Sequence, residues 1–110
     1  MLDVILDAKA RFQEIDQLLH TPGAKDGDYF TRLSEATQNA YVVMNEGMCE
    51  STTVCHECAA HRDYLYSMLG TVEDLASGTP LTAAVQAKLD AYAVKVGEIL
   101  TKIKGALASM

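Results

Sequence analysis

The chain has 110 residues and a mass of 11.9 kDa, the size of one small domain covering residues 1–110. Apolar residues make up 49% and charged residues 22%, which excludes intrinsic disorder and supplies one modest core. Nine basic against fifteen acidic residues give a net charge of -6, a sign that speaks against nucleic acid and anionic membrane surfaces as partners.

The first element is a helix over about 2–20, with Ile5, Ala8, Phe12, Ile15 and Leu19 on one stripe. A breaker cluster at 21–27 (Thr-Pro-Gly-Ala-Lys-Asp-Gly) ends it, and Asp28 is the expected cap of the next element. The middle segment, about 28–77, alternates steps of three and four through Phe30, Leu33, Thr37, Ala40, Met44, Gly47, Ser51, Val54, Cys58, His61, Leu65, Met68, Val72 and Leu75. Heptad spacing of this kind marks a coiled-coil or bundle seam. It weakens only at Gly47 and Ser51, within a helix-poor stretch. After a second breaker, Ser77-Gly78-Thr79-Pro80, Thr79 is the expected N-cap with Pro80 at the first helical position. The last helix, about 80–108, carries Val85, Leu89, Tyr92, Val96, Ile99, Ile103 and Ala106.

Short connections make successive helices antiparallel, so the seams of each hairpin must match in height. Folding at the first loop pairs Ile5 with Met44, Ala8 with Ala40, Phe12 with Thr37, Ile15 with Leu33 and Leu19 with Phe30. Folding at the second pairs Val54 with Ile103, Cys58 with Ile99, His61 with Val96, Leu65 with Tyr92, Met68 with Leu89 and Val72 with Val85. The expected fold is all-α. Antiparallel hairpins form either a three- to four-helix bundle, broken near Gly47–Ser51, or an elongated coiled-coil-like assembly with a long middle helix. An unbroken middle helix would measure about 75 Å. The continuous seam favours that long, kinked middle helix, associating with a second copy.

The residues that suggest chemistry are Cys49, Cys55, His56, Cys58 and His61. Thiolates and imidazoles at short spacing are zinc ligands, and Cys55, Cys58 and His61 fall on neighbouring helical turns. Cys49 and His56 point to nearly the opposite side of a straight helix. Three ligands fall short of a structural zinc site, and the simpler reading makes Cys55 and Cys58 small buried hydrophobes with His61 in the seam. No cofactor is otherwise expected. Three cysteines suit a reducing compartment, and with no basic leader or apolar run of ~18 residues the expected location is cytoplasmic.

Other patterns bear on partners. Glu46, Glu50 and Glu57 share one edge of the middle segment, while Lys88, Lys95 and Lys102 repeat every seven residues beside the last seam, Lys102 near Glu57. Such flanking charges select helix orientation and add little stability. A histidine phosphotransfer reading fails on the residues after His61 (Arg62-Asp63-Tyr64-Leu65). Tyr41, Met44, Met48, Tyr64, Tyr66 and Met68 form an adaptable set suited either to a binding surface or to the core. Arg11-Phe12-Gln13-Glu14-Ile15-Asp16-Gln17-Leu18-Leu19, then Pro22 and Phe30-Thr31-Arg32-Leu33-Ser34, resembles the start of bacterial peptide-chain release factors. That resemblance implies a helical hairpin over about a fifth of the chain. The stop-codon and Gly-Gly-Gln motifs of the family are absent, so no activity follows from it. No catalytic signature is present. The expected function is a non-enzymatic interaction protein, a small acidic adaptor or chaperone acting by helix–helix association with a protein partner or as a homodimer. The interaction residues are Tyr41, Met44, Met48, Tyr64 and Met68. The alternative is a metal- or thiol-binding module at Cys55, Cys58 and His61.

Overall fold

The computed structural model describes residues 2–23, 25–48 and 55–109, side chains at 2, 47, 48 and 55–58 excepted. Four α-helices make up most of these residues: α1 (Leu2–His20), α2 (Gly27–Val43), α3 (Cys55–Ala76) and α4 (Ala83–Ala108). A π-helical turn, Met44–Met48, extends α2.

Local chemistry sets the helix ends, in two places differently from expectation. Asp26, not Asp28, caps α2: its carboxylate accepts the Tyr29 N–H at 2.9 Å. The Tyr29 hydroxyl then donates to the Leu18 carbonyl at 2.8 Å, tying the start of α2 to the end of α1. Thr82, not Thr79, caps α4, its hydroxyl accepting the Val85 N–H at 3.2 Å. Thr79 is otherwise engaged. Gly78, at φ 107°, closes α3 in a Schellman turn, with Gly78 N–H to Leu75 O at 3.1 Å and Thr79 N–H to Asp74 O at 3.0 Å. Pro80 therefore follows a helix stop and does not begin a helix.

The helices form a small bundle. α2 lies against α1 and α3, and α1 lies also against α4. α3 and α4 come close along less of their length, and the pairs α1/α3 and α2/α4 are the diagonals. The long middle helix is not formed. Residues 28–77 as one helix would reach about 75 Å, whereas the longest dimension of the molecule is 42 Å and α2 and α3 lie side by side. An extended two-helix cross-section leaves each seam half covered, and folding α3 onto α2 buries both seams in one core. Residues 49–54, which join the α2 arm to α3, lie outside the described ones.

That core is largely the seam read from the sequence. Ile5, Ala8, Phe12 and Ile15 of α1 and Phe30, Leu33, Thr37, Ala40 and Met44 of the α2 arm are buried. So are His61, Leu65, Met68, Val72 and Leu75 of α3 and Leu89, Tyr92, Val96, Ile99 and Ile103 of α4. Tyr64 lies against Tyr92 at 5.9 Å between ring centres, next to the expected Leu65–Tyr92 step, and Asp7, Val42 and Val43 line one groove between α1 and the α2 arm. Tyr29, Ala36 and Leu100 join the core from outside the expected stripes. At the end of α4, Ala106 is exposed and Leu107 packs in its place.

One polar bond crosses the core. The hydroxyls of Thr37 on α2 and Tyr92 on α4, both with no exposed surface, lie 2.8 Å apart across the bundle diagonal. Burial pushes the Tyr92 phenol far above its ordinary pKa, only partly opposed by Thr37. Removing one partner strands a buried hydroxyl, so Tyr92→Phe or Thr37→Val is expected to cost about 1–3 kcal/mol. In urea denaturation the double variant should lose less than the sum of the singles by about 1 kcal/mol. Strict additivity would mean that the two hydroxyls do not depend on each other.

Candidate functional site

The cysteine and histidine cluster begins where α3 begins. Residues 55, 58 and 61 lie on its helical backbone, one turn apart. Cys49 and the side chains of Cys55, His56, Glu57 and Cys58 lie outside the described residues, as does the expected Lys102–Glu57 pairing. His61 is described: it is 8% exposed and sits on the seam. Lys95 and Glu98 of α4 are close enough to bias its charge. Burial lowers the His61 pKa below its usual 6.5, Lys95 pushes the same way, and Glu98 opposes them. Among the described residues no group of three or more His, Cys, Asp or Glu side chains is placed to hold a metal.

The expected interaction residues are not one surface. Met44 and Met68 are 2% and 5% exposed and belong to the core, as their seam spacing requires. Tyr41 and Tyr64 are half-buried, and the Met48 side chain lies outside the described ones. The Tyr41 ring meets Tyr66 at 5.7 Å between centres, bridging α2 and α3. Tyr64 lies against Tyr92, with the Lys95 ammonium 5.9 Å from its ring centre.

Large apolar side chains do reach the surface at positions the seam does not use: Leu6, Val42, Tyr66, Leu81 and Val94, with Tyr66 and Val94 about two-thirds exposed. Two shallow depressions involve some of them. Tyr64, Ala91, Val94, Lys95 and Glu98 line one of about 240 Å³ between α3 and α4. The other, about 370 Å³ between α1 and the α2 arm, is lined by Val4, Val42 and Val43 together with Asp3, Asp7 and Glu46. Of these residues, Leu6, Val42, Leu81 and Val94 lie outside both the seam and the expected interaction set. Their signal was available in Val42 and Val94, aliphatic side chains on the outward faces of amphipathic helices.

His61 gives this region a pH dependence whose sign is fixed. Its folded pKa is lowered, so the neutral ring stabilises the fold above about pH 6.5, and that contribution is lost as pH falls below it. Urea midpoints of the native protein should therefore fall more steeply between pH 7.5 and pH 5 than those of His61→Leu. Parallel profiles would show that His61 protonates freely in the folded state.

No protein family, curated protein or solved structure matches the chain, so its function is argued from this geometry.

Proposed function

We propose that the protein is a non-enzymatic interaction protein, a small acidic adaptor or chaperone that works by helix–helix association in the cytoplasm, as a homodimer or with a protein partner. The supporting observation is the outer surface of the bundle. The exposed valines Val42 and Val94 stand in open depressions that charged residues also line, between α1 and the α2 arm and between α3 and α4. Isolated exposed apolar residues are ordinary, but apolar depressions that charged residues also line are the form of a helix-docking surface. No helix among the described residues is long and apolar enough to cross a membrane.

Sedimentation velocity over a wide concentration range tests the homodimer. The expected result is a reversible rise in mass from 11.9 kDa towards twice that value, weakened by Val94→Lys. A constant monomer mass would remove the homodimer and leave association with another protein.

Metal or thiol chemistry at Cys55, Cys58 and His61 is the competing function. Metal content of protein purified under reducing conditions without chelator separates the two. Interaction alone expects no stoichiometric metal and an unchanged fold in Cys55→Ser/Cys58→Ser. Stoichiometric zinc lost in that variant would replace the proposed function with a metal-dependent one.

A further inference from the structure

We propose that the groove between α1 and the α2 arm docks a helix of a second protein whose apolar stripe is flanked by lysine or arginine. This rests on the interaction reading above and names the partner's chemistry.

The apolar lining of the groove is aliphatic, formed by Val4, Val42 and Val43, with Val42 39% exposed. Leu6, 46% exposed, lies one turn from Asp3 on the same helix. Carboxylates stand on both sides: Asp3 and Asp7, one turn apart on α1, and Glu46 on the facing arm. Only Asp7 is offset, by Arg11 at 3.3 Å, and that pair is itself largely exposed. Asp3 and Glu46 have no cationic partner among the described residues. The helix amide ends account for Asp3, which lies in the first turn of α1, but not for Glu46 near the end of its arm.

Glu46 also sits within the π-helical turn, a widening of the helix that recurs at functional sites. An apolar strip between two acidic edges accepts a helix in one way. Aliphatic side chains enter the groove, and basic residues on both flanks meet the carboxylates, as in helix-in-groove recognition. An acidic-flanked helix would bring like charges together at both edges and is excluded. A second copy does not dock here through its own copy of this groove, because the elements that line it are themselves predominantly acidic.

The test uses the full chain and two synthetic amphipathic helices with the same leucine stripe, one flanked by lysine and one by glutamate. Titration by fluorescence anisotropy is followed by amide chemical-shift mapping. The lysine-flanked peptide should bind saturably and at least about tenfold more tightly than the glutamate-flanked one, with affinity falling as salt rises. Its shifts should centre on Val4, Asp7, Val42, Val43 and Glu46. The variant Asp3→Asn/Asp7→Asn/Glu46→Gln, folded by circular dichroism, should lose most of the preference between the peptides. Equal binding of both peptides, or shifts confined to the α3–α4 side, would overturn this site while leaving helix association intact. No saturable binding of the lysine-flanked peptide would overturn it as well. The self-association measurement above bears on the broader reading independently.

Discussion

The hydrogen bond between Thr37 and Tyr92 constrains this fold more than any single apolar contact. It joins α2 and α4, which are not adjacent, through two hydroxyls without exposed surface. Hydrophobic burial tolerates small rotations and slides of a helix, but a buried hydroxyl without a partner costs about 1–3 kcal/mol. The pair therefore fixes the depth and rotation of α4 relative to α2, and the hairpin containing each helix follows. The size of the tyrosine also has consequences for spacing. Ala8 and Ala40, both fully buried, let α1 and α2 approach closely, whereas the Tyr64 and Tyr92 rings stand between α3 and α4. One side of the bundle is tight and the other is propped open.

That spacing accounts for the depression on the α3–α4 side. Between α3 and α4 the backbones come close along less of their length, and the depression lined by Tyr64, Val94, Lys95 and Glu98 lies there. His61 sits one turn before Tyr64, inside the same seam, where desolvation favours its neutral ring. A charged imidazole would lack solvation and would face Lys95, which outweighs the opposing pull of Glu98, so packing favours the neutral ring.

Much of the core was legible because heptad spacing marks which face of each helix is buried. Val72, Leu75, Leu89 and Val96 needed no further information. The Thr37–Tyr92 bond was not legible, since it belongs to the meeting of two hairpins and neither seam alone specifies a diagonal. The folding of α3 onto α2 was ambiguous for a related reason: seam continuity describes a bent chain and a straight one equally, and only the gain from burying two seams together decides between them. Cap positions failed locally. Thr79 satisfies the cap pattern, yet its amide is already committed to Asp74 in the turn that closes α3. Of the candidate site, Met44 and Met68 carried their answer in their spacing, which made them core residues from the start. Val42 and Val94 had to be read as residues that the seam leaves over.

Charge gives the two depressions different characters. α4 holds Lys88, Lys95, Lys102 and Lys104 against only Asp90 and Glu98, so the excess acid of the chain lies on the other elements. α4 packs against α1 and borders α3, but it is diagonal to α2. Its lysines are therefore placed to offset carboxylates on the α3–α4 side, while screening over about 8–10 Å limits their reach to the far side of the bundle. Between α1 and the α2 arm, Glu46 has no ion-pair partner among the described residues. Because α4 packs against α1 and is diagonal to the α2 arm, the Glu46 edge of that groove is the one where the acidic character of the chain persists.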